Sequence, residues 1–413
     1  MSSRVRAFTK LLTPEEARQA YAQAFSPTPL GTQSVPLLEA LGRVLAAEIR
    51  VDMDLPAFDR STVDGFALHA GETAHAGSGT PVILRVVGEV LMGEAASIHV
   101  GKGEAVRIPT GGALPAGTDA VVMQEYTVRQ DGTISVERSI KSGENVMPRA
   151  ADARAGDLVL TPGRRLRAQE LGLLAGLGRA VVKVYARPRV AIIVTGDELV
   201  PPDEPVEGNH MHDMNSYTLA GLVVSAGGIA KPSGIVPDNL AVLTRVAQRA
   251  LRSSDALLLS GGSSVGEKDV VAEVIPTLGD PGIIVHGISI RPGKPTILAV
   301  ANHKPVFGLP GNPVSAMVVF DQFVRPVLEG MGGADPSRHA GHGVRARMAT
   351  RVVTGDREDH VRVALNERHN GLWATPVPGG SGAITSMVRA DGIVVVPPQR
   401  TLEEGTEVEV RLF

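Results

Sequence analysis

Five acidic residues stand where the residue pattern predicts loops, not helix faces: Asp64, Asp152, Glu198, Asp238 and Asp269. Taken singly, each reads as a solvated carboxylate or a helix cap. Their neighbours change that reading. Glu198 follows Thr195-Gly196-Asp197, and Asp269 closes a stretch opened by Ser260-Gly261-Gly262-Ser263-Ser264-Val265-Gly266. Small residues of this kind let backbone N–H groups close on an anion. A carboxylate beside an anion repels it unless a cation lies between, so the pairing points to Mg²⁺ bridging oxygen ligands and a phosphate. Thr110 puts a hydroxyl on a further glycine-rich turn, Arg107-Ile108-Pro109-Thr110-Gly111-Gly112. Arg291-Pro292-Gly293-Lys294-Pro295 supplies positive charge on a proline-bounded turn, whose plainer reading is a surface turn.

Such groups need a frame that brings distant loops together. The apolar run Ala256-Leu257-Leu258-Leu259 ends abruptly at Ser260, as a buried parallel strand does when it feeds a tight turn. Residues 189–195 form a second such run and end at Thr195-Gly196. A third run, Pro305-Val306-Phe307, leads into Gly308-Leu309-Pro310-Gly311-Asn312-Pro313-Val314-Ser315. There Asn312 suits an N-cap and Pro313 the first position of a helix reaching about Leu328. Between the runs lie helical patterns, the clearest starting at Asp238 with Leu240, Leu243, Val246, Ala247, Ala250 and Leu251 on one face. Another helix restarts at Asp269. Strand, polar loop and helix in repetition predict a doubly wound α/β sheet with three loops converging on one edge, where such sheets bind ligands.

The chain has 413 residues, enough for about three domains. Its net charge of −3 and pI near 6.4 give no basic field for nucleic acid or a membrane surface. Cysteine is absent, which excludes disulfides, thiolate metal sites and cysteine nucleophiles. The first ten residues lack an apolar signal core and no run approaches the ~18 apolar residues of a membrane span, so the expected location is the cytoplasm.

Along the chain, Thr13-Pro14-Glu15-Glu16 has the form of a capping box opening a helix to about Phe25, and residues 37–47 carry a second helical pattern. Residues 82–136 alternate and turn often, as β structure does, and helix returns at 168–177. The expected division is a discontinuous helical domain (1–51 and 145–186), an inserted β-rich module (52–144), the α/β domain (187–333) and a small all-β C-terminal domain (334–413).

The stretches 55–67, 107–125, 195–199, 260–269, 291–295 and 308–315, in this order and spacing, resemble the molybdopterin molybdenumtransferases, the MoeA family, which includes the C-terminal part of gephyrin. The resemblance runs from about Thr13 to the C-terminus. It implies a multidomain α/β protein with a MogA-like doubly wound domain. It also implies a homodimer whose cleft lies between the α/β domain of one subunit and the inserted module of the other. The implied activity is insertion of molybdate, the substrate, into adenylylated molybdopterin with release of AMP and a requirement for Mg²⁺. A molybdopterin adenylyltransferase is the implied protein partner. Matched motif by motif, Asp64, Thr110, Asp152, Glu198, Asp238, Asp269, Arg291 and Lys294 would be catalytic, with Glu198, Asp238 and Asp269 holding the metal. Thr195, Gly196, Asp213, Asn215, Ser260, Gly261, Gly262, Ser263, Ser264, Gly266, Pro310, Gly311, Asn312, Pro313, Ser315 and, from the C-terminal part, Ser386 would bind nucleotide and pterin. His210 and His212 beside Asp213 look like a metal trio, but the family uses Asp213 and Asn215 there, so the reading is a polar loop. The chain departs from the family at Ala150-Ala151-Asp152, where Gly-Glu-Asp is usual, at His286-Gly287, where many members carry lysine, and at Arg291, where lysine is frequent. Two other readings stay open: a molybdopterin adenylyltransferase, to which the α/β domain alone is similar, and a dimeric scaffold of the same family with weakened catalysis.

Overall fold

The computed structural model describes residues 11–94, 97–261, 269–335 and 343–413. The chain forms two compact units, one of residues 1–46, 162–171 and 180–413, the other of residues 47–161 and 172–179.

The first unit is built on a six-stranded sheet in the order Ile229–Val236, Arg189–Thr195, Ala256–Ser260, Lys304–Leu309, Ile297–Ala301, Pro281–His286. The first four strands are parallel; three of them carry the buried apolar runs of such a sheet, while Ile229–Val236 is a largely exposed edge. The last two are antiparallel, joined to their neighbours without a crossover helix, so the doubly wound sheet carries an antiparallel edge. Alternate residues of each strand feed opposite cores. Val190, Ile192 and Val194 pack with Leu219 and Val223 of the helix Asn215–Ser225 and with Ala316 and Val319 of the helix Pro313–Val319. Ala191 and Ile193 pack with Leu243, Ala247 and Leu251 of the helix Leu240–Arg252. Each buried leucine contributes roughly 1.5–3 kcal/mol, so these two layers hold the strand ends, and the loops after them, in place.

The helix Pro14–Ala24 starts on the predicted capping box and lays Ala17 and Tyr21 on the first of these cores. The helix expected from Asp238 is capped by Asn239 instead, whose side chain accepts from the Val242 N–H. The long helix expected from Pro313 runs unbroken to Met331, as Pro313–Val319, a wide π turn at Phe320–Val324 and Arg325–Met331. Pro326 has no N–H to donate, and the wide turn accommodates that loss. The helix expected over 37–47 is reduced to a single turn, Leu37–Ala40. Beyond Gly42, which is left-handed at φ 73°, Leu45 and Ala46 donate to the carbonyls of Arg164 and Lys183. Val44 and Leu45 are thereby buried by strand-like pairing.

The C-terminal part closes into a five-stranded barrel in the order Glu358–Arg368, Gly371–Pro376, Gly343–Met348, Glu407–Leu412, Gly392–Val396 and back to Glu358–Arg368. The barrel also takes in the two-residue strand Ile290–Arg291, parallel to Glu358 and Asp359.

The second unit holds a six-stranded sheet in the order Ala120–Met123, Gly65–Leu68, Glu104–Ile108, Val82–Glu89, Thr133–Val136, Thr127–Gln130. Its core contains Phe66, Leu68, Leu84, Val122, Ile134 and Val136.

Candidate active site

Three of the predicted loops meet at the carboxyl ends of the parallel strands. Gly261, at φ +111°, brings its Cα so close to the Thr195 carbonyl that a Cβ there would lie 1.9 Å from the oxygen. On its other side, a Cβ on Gly311 would stand 3.5 Å from the Gly261 Cα. Only glycine fits at 261. Asn215 stitches the same loops. Its Nδ2 donates to Ser260 Oγ at 2.9 Å and to the Gly311 carbonyl at 2.8 Å, while Ser260 Oγ donates to the Pro310 carbonyl. Asn215 is 5 % exposed, and its Oδ1 has no hydrogen-bond partner among the described residues. A buried acceptor without a donor is costly, which sets this amide apart from the satisfied polar groups of the core. Ser315 is buried one turn into the helix that follows. Asp213, also buried, accepts from the Ser216 N–H at the start of the helix that carries Asn215.

The acids beside these loops fall into two groups. Thr195 donates its hydroxyl to Asp238 Oδ1 at 2.6 Å, and Asp197 accepts from the Asp238 N–H, so Asp238 sits over the first loop. The Glu198 carboxylate folds back on Gly196, where a Cβ would lie 2.8 Å from Oε2. Asp269 is differently employed. It caps the helix Val270–Val274 through the Ala272 N–H, and its other oxygen is 3.7 Å from His286 Nε2. Among the described residues no group of three His, Asp or Glu side chains is arranged to hold a metal by itself. Gly262, Ser263, Ser264 and Gly266 lie outside the described residues.

On the proline-bounded turn, Gly293 packs its Cα against Val319 and Ile290, and Thr296 donates to its carbonyl. Arg291 is largely exposed and its Nη1 is 3.7 Å from Asp359 of the barrel. Burial pushes the Asp359 carboxyl above its ordinary range, and one of its oxygens has no hydrogen-bond partner among the described residues.

The barrel meets the Asn312 loop through Ser381. Ser386 is 1 % exposed and turns its hydroxyl inward to the Ala383 carbonyl. Ser381 instead accepts from Asn312 Nδ2 at 3.0 Å, and its carbonyl accepts from the Val314 N–H. Asn312 holds the N-cap position yet makes no side-chain cap bond, and its Nδ2 donates to Ser381. Residues 381 and 312 belong to separate sequence patterns, and no local signal links them.

In the second unit, Asp64 Oδ1 accepts both the N–H and the hydroxyl of Thr110, at 2.7 and 2.9 Å. These two bonds, the backbone one first, hold its carboxyl below the usual carboxylate range. The Thr110 turn is pinned by mutual backbone bonds between Ser61 and Gly111-Gly112. Asp152 is exposed and donates its N–H to the Leu55 carbonyl. Ala150, two residues earlier, is left-handed at φ +62°.

Comparison with known proteins decides the family. Residues 12–178 match the model of the MoeA N-terminal region (domain I and II), 191–330 the "Probable molybdopterin binding domain", and 345–413 the MoeA C-terminal region (domain IV). The chain belongs to the MoeA family. A molybdopterin molybdenumtransferase of Nostoc is 35 % identical, with 92 % of this chain and 88 % of the relative covered. The Haemophilus influenzae molybdopterin molybdenumtransferase is 35 % identical over 98 % and 99 % of the two chains. Among solved structures, a molybdopterin biosynthesis MoeA protein of Pyrococcus horikoshii is similar at a TM-score of 0.83 and 30 % identity, covering 98 % and 100 %. As a MoeA protein, this chain carries its converging loops within the molybdopterin-binding model and its Ser381 loop within domain IV.

Proposed function

We propose that this protein is a molybdopterin molybdenumtransferase of molybdenum cofactor biosynthesis, inserting molybdate into adenylylated molybdopterin with release of AMP. Family membership supports the coarser part. The observation that carries the reading is the junction of Thr195, Gly261 and Gly311 around Asn215, with its orphaned buried oxygen. Asn215 would hold these loops in register while their backbone amides take the phosphate of the ligand.

Molybdate is a dianion and a dithiolene is electron-rich, so the two repel. Arg291 and Lys294 would lower that cost by fixing positive charge near the oxyanion. Asp64, kept ionised by Thr110, would supply a rigid acceptor, with Asp152 in the same unit. Mg²⁺ characteristically uses one or two protein carboxylates and draws its other ligands from water and phosphate. Glu198 and Asp238, exposed beside the first loop, fit that demand, with Asp269 as the third candidate. The ion would supply neutralisation of the adenylate phosphate.

The residues assigned to one reaction divide between the two compact units, Asp64, Thr110 and Asp152 in one and the remainder in the other. The homodimer itself is inferred from the resemblance. No helix of the described residues is long and apolar enough to cross a membrane.

Incubation with adenylylated molybdopterin, molybdate and Mg²⁺ should yield AMP and molybdenum cofactor together. Formation of adenylylated molybdopterin from ATP and molybdopterin, without metal insertion, would replace this reading with an adenylyltransferase. Binding without turnover would replace it with a scaffold.

A further inference from the structure

We propose that Arg362 is a positioning residue, gripping a barrel turn so that the barrel fixes the ligand-facing loop at Asn312. Arg362 lies on the barrel strand Glu358–Arg368 and is half-buried. Its Nη2 donates to the Gly379 carbonyl and its Nη1 to the Gly380 carbonyl at 3.4 Å. Two adjacent carbonyls held by one planar fork leave the turn little freedom. Ser386 closes it from beneath, since a Cβ on Gly379 would lie 2.9 Å from the Ser386 Cβ.

The next residue, Ser381, then makes both of its bonds to the α/β domain, from Asn312 Nδ2 and from the Val314 N–H. Gly382 follows in van der Waals contact, its Cβ position 3.5 Å from Asn312 Oδ1. The chain of contact is therefore Arg362, the Gly379-Gly380 turn, Ser381, Asn312. Asn312 adjoins Gly311, whose carbonyl is bound by Asn215. A guanidinium whose Nε is buried and unpartnered is costly to keep in place. Lysine would be less demanding there, but a single ammonium cannot grip two carbonyls in one plane.

The inference rests on the transferase reading only for its kinetic half. In full-length protein, Arg362→Lys should speed hydrogen exchange at the Val314 amide, and Ser381→Ala should do so less, because it removes only the side-chain bond. With one charge-assisted guanidinium–carbonyl bond lost, the expected change is roughly ten-fold or more. Arg362→Lys should raise KM for adenylylated molybdopterin by a similar factor while kcat changes little, with barrel amides such as Val363 staying protected. Unchanged exchange at Val314 would overturn the grip. Faster exchange with KM unmoved would reduce it to a domain contact and overturn the positioning role. Should the wild type fail to turn over, the transferase reading fails on that result, and the exchange at Val314 still decides whether Arg362 holds the loop.

Discussion

Glycines 261 and 311 sit side by side, yet the contacts separate their roles. Gly261→Ala must move the Thr195 carbonyl and hold a left-handed backbone, so it should cost about 2–4 kcal/mol and abolish ligand binding. Gly311→Ala meets only ordinary contact and should stay within about 1 kcal/mol of wild type. Urea midpoints of the two variants check the contrast. Arg291 gives a second case. Its guanidinium is exposed and only loosely paired with Asp359, which leaves it able to serve an oxyanion. Arg291→Ala should raise the molybdate concentration for half-maximal rate roughly ten-fold or more, with Arg291→Lys between. A molybdate titration showing no change in either would move Arg291 to the nucleotide side. At this scale the sequence was legible wherever glycine or proline punctuates a loop, because a tight approach admits few residue types. The Asn312–Ser381 bond was illegible, since its partners are 69 residues apart and meet only because a barrel closes.

Among the elements, the start of the helix Ala168–Gly176 is held by one buried acid. Glu170 takes Arg164 through Nε and Nη2, and Arg167 through its side chain and backbone N–H. The Arg167 side-chain bond first, then its backbone N–H and Arg164, bring the carboxyl down to about 2 from its ordinary 4.5, against the opposing effect of burial. A depressed pKa means the folded state is favoured by the ionised form. That stability is fully present above pH 4.5 and is lost as pH falls towards 2. Glu170→Gln should cost about 2–3 kcal/mol at pH 7 and flatten the fall in thermal stability between those limits. In the other unit, Ala150 occupies a left-handed turn, a conformation that suits glycine and where the resemblance leads one to expect it. Ala150→Gly should gain about 1 kcal/mol in chemical denaturation, the relief of left-handed strain less glycine's entropy. Strands were read well from apolar runs, while the pattern at 37–47 misled, because Val44 and Leu45 are apolar for strand-like pairing and helical spacing arose by coincidence.

For the whole molecule, the division of site residues between two units gives a test that needs no knowledge of their arrangement. Protein carrying Asp64→Ala, mixed under subunit exchange with protein carrying Glu198→Ala, should recover up to about a quarter of wild-type activity if each site draws on two copies. No recovery would mean that each chain completes its own site. The doubly wound class of the α/β part followed from three buried runs and their intervening helices, while its strand order and antiparallel edge did not. The closed barrel did not, because short alternating strands leave open which edges join.

The barrel's exchange of strand and loop with the α/β part bears on how the protein matures during synthesis. Ile290 and Arg291 emerge from the ribosome long before Glu358 and Asp359, and Asn312 before Ser381. The sheet can fold first, since its strands and both cores lie within residues 189–331 together with the N-terminal helix. Until translation reaches the barrel, however, Asn312 lacks its serine and the Arg291 strand lacks its neighbour. A chain released early would keep a folded sheet with an unfinished loop, so completion of the site reports that the ribosome has read through to the end of the barrel.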